Sequence, residues 1–442
     1  MNPAESLRRR ADRGFGIAVG DDVQRSYDLQ LVLLTAVNLS VRTFGGKCTV
    51  YVSGDLAESR NLVPVALGIT LRAAIEELGG RIETAASVPE NRPYLLLGNA
   101  DPIGRALRVT FDGWRLAVGP AADLARYPER SYCPLACVAA AAIGVEEIFA
   151  EFAEISITAT RRVVILSLWR LDVGASDPAG LGEPLAELPN QLAVFGLGHL
   201  GQAYLWAYVA LRHSEPEKAT IVMCDDELLE LPNLETGAIA SSDWLDRLKS
   251  RMAMQWLEAR RFQTRLIEHR IDRNFRRVDR DPVIALSGFD DNHPRQWLTE
   301  ACFDAVVDSG LGSEVANFDA ISFRSWPNTR TAGELWPIET EEEIAARDAR
   351  RKKIIQEGGY DTLEEDECGR LLLAGKSVAV PFVGGFAACI VLAELLKAIN
   401  GGPTYEEIKL RLCTVGLSQL VAGSPAERAA PIRGVATQRP RD

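Results

Sequence analysis

The chain has 442 residues, 47% of them apolar and 25% charged, which suits two or three globular domains with large cores. Its formal net charge of -12 argues against a nucleic-acid-binding protein, because neutralising phosphates needs a clustered basic surface. No apolar run approaches the roughly 20 uncharged residues of a membrane helix, and the opening MNPAESLRRRADRG lacks the apolar stretch of a signal peptide, so no membrane partner is expected and the expected location is cytoplasmic.

In chain order, the first half starts with a long apolar helix, LQLVLLTAVNLSVRTF, followed by a strand, KCTVYVS, an amphipathic helix around residues 64–78 and a second strand, YLLLG. FDGWRLAVG reads as a hairpin, and CPLACVAAAAIGVEEIFAEF as a buried helix rich in small residues. Residues 172–190, rich in Gly, Pro and Asp, form a linker. Beyond it, strands and helices alternate at the spacing of a parallel, doubly wound sheet.

A weak internal repeat joins the halves. Setting Pro134 over Pro381 aligns Ala140 with Ala387, Ala141 with Ala388, Ile143 with Ile390 and Glu147 with Glu394. CTVYVSGD and ATIVMCDD also match as apolar strands that end in an acid. The first half has no glycine loop before its strand, so it reads as a copy of the fold that has lost a nucleotide site; chance similarity of two alanine-rich helices is the competing explanation. The eight cysteines form no paired two-spacer clusters, which excludes a zinc ribbon or a disulfide scaffold. Most, such as Cys224 and Cys389, sit in apolar surroundings, whereas Cys368 lies in the polar stretch TLEEDECGRLLLAGK.

The segment QLAVFGLGHLGQAYLWAYVALRHSEPEKATIVMCDD carries the chemistry. A strand enters GLGHLG, a helix leaves it and a second strand ends at Asp225, a nucleotide-binding βαβ unit. Gly196, Gly198 and Gly201 let a phosphate approach the backbone and the helix N-terminus, and Asp225 can bind ribose hydroxyls. Such a loop by itself serves dehydrogenases, methyltransferases and adenylating enzymes alike. The stretch after the acid is more selective: Glu227 comes two residues after Asp225 and Asn233 six further on, in DELLELPNLETG.

This pattern resembles the D-x-D-x-V-x-x-x-N-L element of the ThiF, MoeB and ubiquitin-activating enzyme superfamily, which adenylates the C-terminal glycine of ubiquitin-like proteins. The likeness spans roughly residues 188–402 and implies a Rossmann-like ThiF adenylation fold, α/β and doubly wound, preceded by a degenerate pseudo-copy of the same fold. By position, Asp225 would bind ribose and Asn233 would help hold the ATP phosphates. Either Lys249 or Arg251, in LDRLKSRMAMQWLEA, would supply the family's phosphate-reaching cation, with the spacing slightly favouring Arg251. FDDNHPR resembles the family's T-D-N element, so Asp291 would hold Mg2+, Asn292 would shape the loop, and Arg295 would stand one residue nearer than usual. Cys368 occupies the place of the catalytic cysteine of autophagy-type members.

The chain departs from the family where Thr236-Gly237 replaces an arginine, where His199 replaces a small residue and where the zinc cysteines are missing. Arg8, Arg9, Arg10 or Arg25 could supply the lost cation from the other half. The implied organisation is an inactive pseudo-adenylation domain (1–171), the linker (172–190), an active ATP-binding domain (191–328), a crossover loop bearing Cys368 (329–376) and the C-terminal remainder (377–442). The implied activity uses ATP and Mg2+ to activate a ubiquitin-like protein and pass it to Cys368 as a thioester, with a conjugating enzyme as a further partner and antiviral defence as the setting. An internal pseudo-dimer is implied, with a homodimer left open. The competing readings are an adenylyltransferase that forms no thioester, an NAD-dependent oxidoreductase and a non-catalytic scaffold.

Overall fold

The computed structural model describes residues 14–174, 177–312, 317–346, 349, 380–414, 419–422 and 435–441. The first half contains β1 (Phe15–Val19), β2 (Cys48–Val52), β3 (Arg81–Thr84), β4 (Tyr94–Leu97), β5 (Ala106–Asp112), β6 (Arg115–Pro120) and β7 (Val164–Ser167). They form one sheet in the order β3-β2-β1-β4-β5-β6-β7. After β8 (Leu188–Pro189), the second half supplies β9 (Gln191–Phe195), β10 (Thr220–Cys224), β11 (Gln263–Ile267), β12 (Ile284–Ser287), β13 (Ala305–Leu311), β14 (Ala320–Trp326), β15 (Tyr405–Arg411) and β16 (Gln419–Ala422). Their order is β11-β10-β9-β12-β13-β14-β15-β16, and β17 (Thr437–Gln438) pairs with β8.

The two sheets repeat one topology. In each, the first five strands are parallel and the next two antiparallel, so β1 to β7 correspond to β9 to β15. The helices Tyr27–Thr43 and His199–Val209 occupy equivalent places, as do Leu135–Phe152 and Pro381–Asn400. The aligned glutamates do the same work in both copies. Glu147 accepts the amide of Thr160 at 2.6 Å and Glu394 that of Tyr405 at 2.8 Å, each steering the chain into the last strand of the shared topology.

Several elements differ from the sequence reading. β1 escapes it because a fully buried central strand of five apolar residues shows no alternation, and β3 because an exposed polar edge strand has no apolar face. The helix expected at 64–78 begins only at Leu71. Thr70 caps it through the amide of Ala73, while the Asn61 side chain donates to the carbonyls of Ala66 and Gly68 and holds the preceding segment as a loop. The Pro381–Asn400 helix is, against the sequence reading, long and apolar enough to cross a membrane by length and composition; in the structure 89% of that stretch is buried inside the protein. A helix apolar all round must be covered on every side. Here the cover is Leu135–Phe152, His199–Val209 and the strands β13 and β14, so one continuous core joins the halves.

Candidate nucleotide site

The second sheet reverses its winding at β9, which lies between β10 and β12. The carboxyl ends of strands flanking such a switch point form a crevice outside the sheet. Three loops meet there, leaving β9 at Gly196, β10 at Asp225 and β12 at Gly288. The amide of Gly196 donates to Cys224 at 2.9 Å and that of Gly288 to Phe195 at 2.7 Å, which ties the loop origins together.

Three glycines make the turn sterically feasible. Gly196 has φ +79, and a Cβ there would stand 3.0 Å from the carbonyl carbon of Gly288. A Cβ on Gly201 would collide with the carbonyl oxygen of Gly196, and one on Gly288 would come within 2.8 Å of the same oxygen. Gly288 is not marked by any motif in the sequence; its one signal is its place directly after an apolar strand. Gly198 is different in kind. A Cβ there would meet nothing within 4 Å, so it faces open space at the N-terminus of the His199–Val209 helix. The ring of His199 fills the space where a side chain on Gly384 would stand, locking the loop to the Pro381–Asn400 helix, and burial pushes its pKa down to about 4.

Asp225 is buried and accepts the amides of Leu197 at 2.5 Å and Glu227 at 2.8 Å. Burial raises its pKa in spite of these bonds. Lys249 is buried at the head of its helix, with Nζ 2.6 Å from the exposed carboxylate of Glu227, and this contact holds Glu227 below the usual carboxylate range. Arg251, which the spacing slightly favoured, instead pairs with Glu268 at 2.7 Å on the outer face of the helix. The reason is helical geometry: two residues apart point in different directions, so only one of the two cations can turn inward. Asn233 opens a short helix and accepts the amide of Glu230 at 2.9 Å.

On the third loop, Asp291 caps the Asn292–Glu300 helix through the amide of His293 at 2.9 Å and also receives its ring at 3.0 Å. Burial works against ionisation, yet these bonds and the charge of Arg295 hold the carboxyl below its ordinary range. Asn292 donates to Pro337 at 2.8 Å and accepts from Arg295 at 2.9 Å. Arg295 continues to the fully buried Asp308 at 3.0 Å, whose other oxygen receives the Trp336 indole at 3.0 Å. Asp308 and Trp336 thus anchor the first turn of the crossover segment over the loop, an arrangement that sequence reasoning missed. Cys368 and the arginines at 8, 9 and 10 lie outside the described residues; Arg25 is exposed in the turn after β1.

The other half does send an arginine to the irregular Thr236-Gly237 region, but it is Arg42. It donates to the carbonyls of Leu234 at 2.6 Å, Ala240 at 3.0 Å and Ala238 at 3.3 Å, and is steadied by Asn38. Burial pushes its pKa down to about 10. Its partners are backbone carbonyls, so it shapes the loop rather than offering a free charge. Gln202 braces the same loop from within, donating to Leu197 at 3.0 Å and accepting from Ile239 at 3.2 Å; a side chain on Gly237 would collide with it. In the first half Asp22 stands after β1, where the second half has its glycine loop; it accepts the amide of Asn99 at 2.9 Å and pairs with Arg126 at 2.5 Å.

This doubled, doubly wound fold with its three-loop crevice is that of an E1-like protein. Residues 14–168 match the family description "BilD N-terminal domain" and residues 188–402 "BilD C-terminal domain". The bacterial E1-like protein BilD of Collimonas sp. (strain OK412) is 32% identical over 406 residues, covering 89% of this chain and 84% of that protein. The chain belongs to the BilD family of bacterial E1-like proteins. Among solved structures, Escherichia coli MccB is 14% identical with a TM-score of 0.36, over 72% of this chain and 93% of that one. The tRNA N6-threonylcarbamoyladenosine dehydratase TcdA of E. coli is 13% identical with a TM-score of 0.29, over 47% and 86%.

Proposed function

We propose that the second half binds ATP with Mg2+ and adenylates the C-terminal glycine of a ubiquitin-like protein. The observation that carries this reading is the convergence in one crevice of an open helix N-terminus at Gly198, the buried Asp225, the inward Lys249 and the exposed, ionised Asp291. Backbone amides and a helix N-terminus suit phosphate, and Lys249 adds positive charge there. Asp225 would take ribose hydroxyls on the lone pairs its two amide bonds leave free.

Asp291 fits a magnesium ion. It is an exposed carboxylate on the loop after β12, held below its ordinary range, and Mg2+ commonly takes one or two carboxylates together with phosphate oxygens and water. Bound there, the ion would supply charge neutralisation.

The substrate carboxylate is already a nucleophile. One of its oxygens bonds to the α-phosphorus, the bond to the leaving pyrophosphate breaks, and positioning with charge neutralisation supplies most of the catalysis. In the second step the Cys368 thiolate takes the acyl group as a thioester and AMP leaves. Transfer to a conjugating enzyme, a cytoplasmic setting and a role in antiviral defence complete the proposal. The test is ATP–pyrophosphate exchange with a ubiquitin-like protein and a reductant-sensitive adduct on the purified chain. Adduct lost in Cys368→Ala with exchange retained supports both steps. An adduct that survives the substitution refutes the role of the cysteine, and absence of exchange refutes adenylation.

A further inference from the structure

The doubled fold separates the residues its topology requires from those it does not. With Pro134 set over Pro381, Glu147 falls on Glu394, and both carboxylates turn the chain into the last strand of the shared topology. Glu146 falls on Ala393, so the fold has no need of an acid there. Glu146 is nevertheless 1% exposed on the Leu135–Phe152 helix, and neither of its carboxylate oxygens has a hydrogen-bond partner of ordinary geometry. A buried carboxylate without a cation or donors is costly, and taking up a proton removes its charge.

The Leu135–Phe152 helix packs against the second half at the turn Leu412–Thr414, which follows β15. Cys413 and Asp319 face Glu146 from that side, Glu147 from its own helix and Arg162 from the segment after the helix. The arginines at this seam are already engaged: Arg162 donates to Glu147 at 2.6 Å and Arg411 to Asp319 at 2.5 Å. The carbonyl of Asp319 accepts the amide of Leu412 at 2.9 Å and its carboxylate that of Cys413 at 3.2 Å, so Asp319 has its partners and Glu146 does not. Burial, with Glu147 beside it, pushes the Glu146 pKa up to about 7, although the Cys413 thiol and Arg162 pull the other way.

We infer that a proton on Glu146 fastens the two halves together, and that its release loosens the turn Leu412–Thr414 and the hairpin between β13 and β14. Protonated, the side chain is neutral and the halves close over it. Ionised, it faces Asp319 across the seam, and the second half draws back or admits water. The proton passes to and from water, and only the O–H bond is made or broken. Phe318, in the same hairpin, packs edge-on against Phe149 of the helix with ring centroids 6.1 Å apart, so the hairpin moves with the seam. β12 and β13 are parallel and end at one edge of the sheet, which places the hairpin at the edge that carries the crevice. The direction follows from the raised pKa: the seam is tightest below the ordinary glutamate value of 4.5 and loosens as the pH rises through about 7.

The experiment follows hydrogen exchange of the Leu412 and Cys413 amides in the full chain, in the wild type and in Glu146→Gln, which keeps the shape and cannot ionise. Glu146→Ala, which copies Ala393, is the second variant. The ratio of wild-type to variant rates at each pH cancels the intrinsic pH dependence of exchange. That ratio should rise about tenfold between pH 5.5 and 7 and level off above. Infrared difference spectra should show a protonated carboxyl band that titrates near pH 7 in the wild type and is missing from both variants. A ratio that stays flat with pH, or a band that persists in the variants, overturns the inference. The wild-type spectrum decides even where a variant fails to fold: no protonated carboxyl above about pH 6 also overturns it.

Discussion

Arg42→Ala tests whether the first half holds the loop at residues 233–240 of the second half in shape. Arg42 spends its guanidinium on the carbonyls of Leu234, Ala238 and Ala240, and only Ala238 has a second donor, Asn38 Nδ2 at 3.0 Å. Truncation leaves two carbonyls without that donor, each costing about 1–2 kcal/mol when partly buried. The expected loss is therefore about 2–4 kcal/mol, concentrated in residues 233–240 and not spread through the cores. With ATP bound as proposed, loss of order in this loop should raise the KM for ATP in pyrophosphate exchange about tenfold or more with a smaller change in kcat. Arg42→Lys, which can reach one carbonyl but not three, should fall between. Loop order can be followed by hydrogen exchange of the 233–240 amides. If Arg42→Ala left KM within twofold of the wild type and the exchange rates unchanged, the clamp would have no bearing on the site.

Gly201→Ala should abolish nucleotide binding and lower thermal stability, since its Cβ collides with Gly196; Gly198→Ala should leave stability within about 0.5 kcal/mol and weaken ATP binding alone, because its Cβ meets only the open crevice. Calorimetry with nucleotide titration separates the two. Lys249→Ala should cut exchange about 100-fold, whereas Arg251→Ala, which loses only a surface pair with Glu268, should stay within twofold. Buried His213 accepts from Gln438 at Nδ1 and bonds Tyr208 through Nε2, and burial pushes its pKa down to about 4. Its folded pKa lies below the unfolded value of about 6.5, so the unfolded chain takes the proton first. This contribution is complete above that pH and drains as pH falls toward 4, the loss amounting to about 2 kcal/mol at pH 5. Melting curves from pH 7 to 5 should show a slope that His213→Gln flattens.

Much of the function-bearing geometry was legible in the chain because it is local. The turn GLGHLG and the cap at Asp291 are set by residues within a few positions of one another, and backbone sterics leave them few alternatives, whereas Asp225 is held by the amide of Leu197, 28 residues earlier. The repeat was legible for a related reason: a helix buried on all sides must be made of small and apolar residues, and two such helices at Leu135–Phe152 and Pro381–Asn400 leave the same compositional trace. The length of the second one hid a different fact, that its apolar surface meets protein throughout.

What the chain alone left undecided depends on residues brought together from far apart. Whether Lys249 or Arg251 turns inward depends on how one helix docks against β10 and β11, where Glu227 waits and Glu268 lies outside. The arginine that enters the Thr236-Gly237 region comes from position 42, nearly 200 residues away; it shapes the loop without restoring the lost charge, and it was unreadable because no local pattern marks a side chain whose partners are carbonyls of another unit. The row Gly310, Ser322, Lys409 and Gln419 across β13, β14, β15 and β16 exists only through strand register, which a one-residue slip would erase. Local conformation is set by local sterics and so can be read along the chain; charge placement across a crevice is set by packing, and only the folded protein decides it.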